Sequence, residues 1–261
     1  MTLSEALQTA PISYFVYVCS LVFGILFGSF LNVLIYRIPK KEEFVKTSSH
    51  CMTCNHKLAW YDNIPILSWL MLGGKCRYCG VKLSAQYPVV EAANGLMWLA
   101  IFLINGISID TLLICAMSSG LLAMSVIDWR TYEIANGWHF YYLALAIIRI
   151  ILNPANWLDN LIGFVCVSTV LLAIYLISGG KAIGGGDVKL MAVCGLFLGW
   201  KGIVLALLIG CIVGSIVHLI RMKLSKVDHV LAMGPYLAIG IVLTSLFGDQ
   251  LINWYLSLFL V

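Results

Sequence analysis

The sequence predicts an all-α fold, a polytopic membrane helix bundle of about seven or eight transmembrane helices with a small cysteine-rich loop domain. The chain has 261 residues, of which 61% are hydrophobic and only 11% are charged, and its mean hydropathy is +0.97. A soluble domain needs far more polar surface than this composition supplies. Long uncharged runs recur along the chain, and two Cys-x-x-C pairs stand between the first two of them.

Seven uncharged runs reach or approach the roughly 20 residues needed to cross about 30 Å of hydrocarbon. They lie at 6–36, 92–109, 111–127, 134–148, 160–180, 202–220 and 229–248. The segment 190–200 is a doubtful eighth span because it is short. We expect it to form either a tilted short helix or a re-entrant helix buried among its neighbours.

The distribution of basic residues predicts the orientation. Half of the 16 lysines and arginines fall between the first two runs, at Arg37, Lys40, Lys41, Lys46, Lys57, Lys75, Arg77 and Lys82. Basic loops remain in the cytoplasm, so this loop, 128–136 and 179–189 are predicted to be cytoplasmic. This bias already explains the excess charge, and few aromatic residues accompany it, so we expect a lipid membrane and no nucleic acid as partner. The predicted location is the cytoplasmic (inner) membrane, with several passes.

Three regions follow from this pattern. Residues 1–36 are predicted to form an N-terminal transmembrane helix, and 37–88 a cytoplasmic cysteine-rich domain. Residues 89–261 are predicted to form a membrane-embedded core.

The cysteine-rich loop has the spacing of a metal site. Two Cys-x-x-C pairs, separated by 21 residues, supply Cys51, Cys54, Cys76 and Cys79. Paired thiolates at this spacing are typical of a structural tetrahedral zinc site. Reduced structural cysteines or two disulfides are the alternatives, and a cytoplasmic position argues against disulfides. The flanking His50 and His56 are expected to be solvated, because four thiolates complete the zinc coordination.

Two aspartates lie where apolar runs end. Asp128 follows one run, and Asp187 follows the glycines of a predicted active-site loop composed of Gly184, Gly185, Gly186 and Lys189. Three glycines let a backbone approach a neighbouring helix or an extended substrate closely. Asp128 alone is equally consistent with a helix cap or an interfacial residue. Lys189 is predicted either to steady a carboxylate or bind a substrate terminus, or simply to follow the positive-inside bias.

Facing carboxylates would support hydrolysis. Repulsion prevents both from ionising, so the pair should hold one shared proton and activate water against a peptide carbonyl. The chain has no H-E-x-x-H, and no histidine lies near Ser118 or Ser119 in sequence. A proton-coupled transporter that uses both aspartates as a relay remains an alternative, as does a structural membrane subunit without activity.

Motifs along nearly the whole chain resemble those of the bacterial type IV prepilin peptidases, which are bifunctional leader peptidases and N-methyltransferases. The matching segments are 24–39 (GILFGSFLNVLIYRIP), 60–69 (WYDNIPILSW), 74–76 (GKC), 87–91 (YPVVE), Asp128, 184–189 (GGGDVK) and 234–238 (GPYLA). This chain departs from the family at Ala135, where an Ile-Pro-Asn segment is common, and at Ala232 and Met233, where Pro-Phe is frequent.

The resemblance implies that Asp128 and Asp187 are the catalytic pair of a GxGD-type membrane aspartic peptidase. It implies cleavage after a glycine, on the cytoplasmic side, just before the hydrophobic N-terminal helix of prepilin and pseudopilin substrates. It also implies methylation of the new amine with S-adenosylmethionine. The residues that bind this methyl donor are unknown, and the cysteine loop and 32–37 are the polar candidates. Glu91 has two interpretations, as an acid at a helix start or as a group that binds a positive part of a substrate.

Overall fold

The computed structural model describes residues 10–43, 49–224 and 232–258. Several predicted features fall outside these ranges: the first residues of the runs at 6–36 and 229–248, and Lys46. The described residues contain no β-strand, only helices, turns and two isolated bridges. The chain forms two compact units, Met1–Thr111 (unit 1) and Leu112–Val261 (unit 2).

The long helices occupy the predicted apolar runs, and one short helix lies in the cysteine-rich segment. In chain order they are α1 (Ala10–Lys40), α2 (Leu67–Met71), α3 (Gln86–Asn105), α4 (Ile109–Thr131), α5 (Asn136–Leu152), α6 (Trp157–Ile177), α7 (Gly185–Leu224) and α8 (Gly234–Ser257). Six of them are long and apolar enough to cross a membrane, and α5 is a shorter apolar helix. These features confirm the predicted all-α, multi-pass membrane protein.

In unit 1, α1 and α3 pack in opposite directions. A Cβ added to Gly24 would lie 2.8 Å from the Cα of Gly95, so the two backbones touch at this point. Asn94 reinforces the contact, because its side-chain amide donates to the Gly24 carbonyl over 2.7 Å. Further along, the amide of Asn32 donates to the Tyr87 carbonyl over 3.1 Å. The end of α1 and the start of α3 therefore lie side by side, and the cysteine-rich loop joins them.

In unit 2, α7 breaks at Gly199, where φ is 77° and ψ is 171°. Such a positive φ is open to glycine and strained in other residues. The break leaves carbonyl groups at the end of the first half-helix without helical partners. Arg149 is the partner of one of these carbonyls, because its Nη1 donates to the Phe197 carbonyl over 2.7 Å. Its guanidinium also lies 4.4 Å from the Phe197 ring centroid.

The first half of α7 runs antiparallel to α6. Near its start, Gly185 lies against the ring of Tyr175 at the end of α6. Near its end, a Cβ added to Gly195 would lie 2.1 Å from the Gly163 carbonyl oxygen, so the two backbones are in direct contact. Small residues permit this close approach between membrane helices. The half-helix up to Gly199 therefore passes along most of the length of α6.

The second half of α7 runs antiparallel to α8. A Cβ on Gly202 would lie 3.5 Å from the side chain of Thr244, and one on Gly214 would lie 3.3 Å from the ring of Tyr236. Helices α7 and α8 begin at the same end of unit 2. Because the second half of α7 is antiparallel to α8, it runs back toward the end where α7 began. The chain therefore reverses direction at Gly199. The segment 190–200 lies mainly in the first half of α7, a short helix that is antiparallel to the second half.

Candidate active site and metal centre

A cavity of about 290 Å³ lies at one end of unit 2. The ends of α4 and α7 and the loop after α4 form its walls. The lining residues are Asp128, Tyr132, Glu133, Ile134, Gly184, Gly185, Gly186 and Asp187. The structure thus brings both predicted aspartates and all three predicted glycines into one cavity.

Asp128 lies in the last turn of α4 and is only 4% exposed. Its Oδ2 accepts a hydrogen bond from the backbone N–H of Gly234, the first residue of α8, over 3.0 Å. A Cβ added to Gly234 would lie 2.7 Å from this oxygen. Glycine therefore lets the α8 backbone come close enough to orient the Asp128 carboxylate.

Asp187 lies in the first turn of α7 and is 9% exposed. Its backbone N–H donates to the Gly184 carbonyl over 3.1 Å, which closes the turn that precedes the helix. The free N–H groups and the dipole of a helix start favour a carboxylate at this position. A Cβ on Gly184 would lie 3.0 Å from Asp187 Oδ2, so a larger residue there would press on the carboxylate.

The wall of glycines is held in place by α5 and the loop before it. His139 Nε2 lies 3.0 Å from the Gly186 carbonyl oxygen, and the N–H tautomer donates a hydrogen bond to it. A Cβ on Gly186 would lie 3.1 Å from the Cβ of Ile134. Lys189 lies outside the cavity lining, where its Nζ donates to Asn136 Oδ1 over 3.2 Å.

Gly234 and His139 were not predicted as site residues. The hydrogen bond from Gly234 uses a backbone N–H, which every residue except proline has, so the bond itself cannot be seen in the sequence, although the close approach to Asp128 favours glycine at this position. His139 has a detectable signal, because it is a polar side chain inside the apolar run at 134–148. Its position on α5 shows that it supports the loop before Asp187.

The chemistry of the cavity is that of two buried acids. Asp128 and Asp187 line the same cavity, and both side chains are buried. Within the described ranges, neither carboxylate has a lysine or arginine at ion-pair distance. Two buried acids without a cationic partner can share a proton and activate a water molecule.

The predicted metal cysteines form two similar turns in the loop of unit 1. In the first, the N–H of Cys51 donates to the His56 carbonyl and the N–H of Asn55 to the Cys51 carbonyl. In the second, the N–H of Cys76 donates to the Val81 carbonyl and the N–H of Gly80 to the Cys76 carbonyl. Asn55 and Gly80 occupy corresponding positions, and both have a positive φ, 55° and 69°. The loop therefore contains a short structural repeat that was not predicted from the sequence.

The thiol geometry fits a tetrahedral metal ion. The four Sγ atoms of Cys51, Cys54, Cys76 and Cys79 all lie within 4.8 Å of one another. Cys51 Sγ and Cys79 Sγ are 3.8 Å apart. A Zn–S bond of about 2.3 Å gives a tetrahedron with edges of roughly 3.8 Å, which agrees with this distance.

Hydrogen bonds favour the thiolate form of Cys51, one of the four predicted ligands. The backbone N–H groups of Cys54 and Thr53 point at the Cys51 sulfur and lower the pKa of its thiol to about 6, although desolvation opposes the shift. A thiolate is the form that binds metal. The donor set and its geometry therefore match the predicted zinc ligands.

Aromatic and acidic residues hold the second turn in place. His56 is exposed, as predicted, and its ring packs on that of Tyr78, with 3.7 Å between the ring centroids. Asp62, in the short helix Trp60–Asn63, accepts from Arg77 Nε over 2.7 Å and from the Tyr78 hydroxyl over 3.3 Å. The segment between the Cys-x-x-C pairs is thereby tied to the second pair.

Comparison with known proteins supports the interpretation of both units. Residues 22–104 match the Bacterial Peptidase A24 N-terminal domain, and residues 115–219 match the Type IV leader peptidase family. No solved structure gave a match.

Curated relatives match over nearly the full length of the chain. A protein named prepilin leader peptidase/N-methyltransferase from Stutzerimonas stutzeri is 31% identical, over 98% of this chain and 99% of its own. Proteins of the same name from Pseudomonas aeruginosa (30%, 98% of both chains) and Xanthomonas campestris (32%, 89% of this chain and 92% of the relative) are similarly related. The transporter alternative gains no support from these matches. The resemblance seen in the motifs is confirmed, and the chain belongs to the type IV leader peptidase family.

Proposed function

We propose that this chain cleaves the leader of type IV prepilins and pseudopilins after a glycine and then N-methylates the new N-terminal residue. The observation that carries the proposal is the shared cavity of Asp128 and Asp187, which are far apart in sequence. Family membership supports both activities, because the named relatives are leader peptidases and N-methyltransferases.

Hydrolysis by this pair requires one ionised and one protonated carboxylate. The ionised acid takes a proton from water while the water oxygen bonds to the scissile carbonyl carbon. The protonated acid donates its proton to the carbonyl oxygen, which forms a tetrahedral diol. When the C–N bond breaks, the leaving amine takes up a proton from an acid and the diol returns one, so the pair again holds a single proton.

The glycines beside the dyad suit an extended peptide substrate. Gly184, Gly185 and Gly186 present backbone without side chains along one wall of the cavity. A substrate backbone can approach such a wall closely. Gly234 serves a separate purpose, because its N–H orients Asp128.

We place the dyad at the cytoplasmic face of the cell membrane. The Arg221 guanidinium lies 4.7 Å from the ring centroid of Trp129, so this basic residue is at the same end of unit 2 as Asp128. Basic residues concentrate on the cytoplasmic side. A pilin helix in the lipid bilayer would then present its cytoplasmic end to the cavity.

Two cofactors belong to the proposal. Zinc held by Cys51, Cys54, Cys76 and Cys79 would fix the two turns of the loop, a structural role. S-adenosylmethionine, when bound, supplies an electrophilic methyl group to the new α-amine. The positions of the four thiols fit a zinc ion. S-adenosylmethionine requires a site that can hold a nucleoside and an amino acid.

The dyad is tested by coexpression with a prepilin in a host that lacks its own prepilin peptidase. Asp128→Asn and Asp187→Asn should each slow cleavage by about 10²–10⁴-fold, because each removes an acid needed for proton transfer. Asp249→Asn, at an exposed aspartate near the end of α8, is the matched control and should cleave normally. Precursor and mature pilin are separated on gels, and membrane insertion is checked by immunoblot. Wild-type turnover by either dyad variant would disprove the assignment.

A further inference from the structure

Unit 1 contains a separate cavity of about 330 Å³. It is bounded by the end of α1, the cysteine-rich loop and the start of α3, and it shares no lining residue with the dyad cavity. Its volume falls within the range of small-molecule sites, roughly 300–1,000 Å³. Peptide hydrolysis at the dyad therefore does not account for this cavity.

Buried polar groups converge on this cavity. Asn32, Arg37 and Glu91 line it, and they are only 3%, 4% and 5% exposed. All three lie on membrane helices, at the ends that meet the loop. Buried ionisable groups in such helices are costly and mark functional sites more often than structural ones.

Glu91 has a specific contact that a helix-start acid would not need. It lies beyond the first turn of α3, and its Oε2 accepts the backbone N–H of Ile66 over 2.7 Å. Ile66 has φ 62° and ψ −55°, which is strained for a β-branched residue. Such strain is concentrated at functional sites, where the surrounding structure holds it. Glu91 therefore anchors a strained segment of the cavity wall.

Trp69 provides a second, independent indication of a ligand. It lines the same cavity, and its indole N–H is buried without a hydrogen-bond acceptor among the described residues. A ligand in the cavity can supply the acceptor that this donor needs. The cavity thus offers a hydrogen-bond donor as well as a carboxylate and a guanidinium.

We propose that this cavity binds S-adenosylmethionine and that Glu91 and Trp69 are binding residues for it. The inference rests on the methyltransferase half of the proposed function. A carboxylate suits the ammonium or hydroxyl groups of this ligand. Arg37 also lines the cavity, where its Nη1 donates to the Glu43 carbonyl over 3.1 Å. The indole N–H of Trp69 can serve an acceptor atom, and the tyrosines of the lining offer aromatic surface to the base.

Binding can be measured without catalysis. S-adenosylhomocysteine is titrated into the full-length, zinc-loaded protein in detergent and followed by calorimetry. Glu91→Gln and Trp69→Phe should each weaken binding about tenfold or more, because the first removes the negative charge that strengthens a hydrogen bond and the second removes the indole N–H donor. Glu133→Gln, which alters the dyad cavity, is the matched control and should bind like the wild type. Trp69→Phe keeps the proposal testable if the buried Glu91 variant does not fold.

A second readout locates the bound ligand. Irradiation of the protein with S-adenosylmethionine that carries a tritiated methyl group, followed by peptide mapping, should place the label within residues 29–91. Label confined to unit 2, no binding by the wild-type protein, or wild-type affinity in both cavity variants would each overturn the proposal. Asp187→Asn should lose cleavage and keep binding, so a failure of the dyad assignment is distinguishable from a failure of this site.

Discussion

The cysteine-rich loop of unit 1 and the helices of unit 2 are stabilised in different ways. Between residues 49 and 85, all of which are described, the buried residues are Cys51, Gly74 and Cys76. Large apolar residues of the same segment are exposed, including Trp60, Leu67, Leu70 and Met71. Unit 2, in contrast, buries many large side chains and brings helix backbones into contact at glycines. The loop has no apolar core, so its order depends on what holds the thiols together.

The largest expected effect is the loss of the metal from the loop. Cys76→Ser removes a buried thiolate, and metal binding of this kind contributes about 10–16 kcal/mol to folding in small zinc domains. We expect the variant to lose zinc, the loop to become sensitive to protease, and methylation to stop. Prepilin cleavage should continue, because the residues that line the dyad cavity all belong to unit 2.

Metal analysis, limited proteolysis and mass spectrometry of the processed pilin measure these three properties separately. Cys211→Ser is the matched control, because Cys211 is an exposed cysteine on α7 and should leave the zinc content unchanged. If the loop stays resistant to protease after complete loss of metal, its order does not depend on the metal, and the proposed difference between the loop and unit 2 is wrong.

Backbone contact in unit 2 is expected to give a smaller effect. In Gly195→Ala, the added Cβ would lie 2.1 Å from the Gly163 carbonyl oxygen, so α6 and α7 must separate. Overpacking of this kind costs about 1–3 kcal/mol. The midpoint of unfolding in a denaturing detergent measures the loss. Zinc content should not change.

Gly137→Ala is the matched control for this substitution. Gly137 is also helical, but nothing lies within 4 Å of an added Cβ. Alanine there should stabilise the protein by about 0.5–1 kcal/mol through its lower backbone entropy. Equal unfolding midpoints for the two variants would show that the α6–α7 backbones are not in close contact.

The apolar runs predicted the long helices well because spans of this length need little beyond an uninterrupted hydrophobic sequence. The reversal at Gly199 was harder to predict, because glycine is common in membrane helices and the surrounding residues remain apolar. Its cause is tertiary: Arg149 satisfies a carbonyl at the break, and a residue far along the chain cannot be assigned to that role from sequence.

The candidate active site and the metal site could also be predicted only in part from the sequence. The acids and the cysteines were recognisable, because chemistry restricts which residue types can do the work and at what spacing. The backbone donor at Gly234 and the contact between Glu91 and Ile66 were not, since both join residues that are distant in sequence. The roles of the predicted site residues remain predictions that the proposed variants test.

The smallest expected effect concerns the loop between α4 and α5, where this chain departs from the family pattern. Ala135 has φ −62° and ψ 136°, and its N–H donates no hydrogen bond within the described residues. Proline fixes φ near −65°, which matches the φ of Ala135. Ala135→Pro should therefore stabilise the protein by about 0.4–1 kcal/mol, because it restricts the unfolded chain. A rise in the unfolding midpoint with unchanged prepilin cleavage is the expected result. A loss of cleavage would instead show that the wall formed by Ile134 and Gly186 must move during the reaction, and that unit 2 is less rigid than its packing indicates.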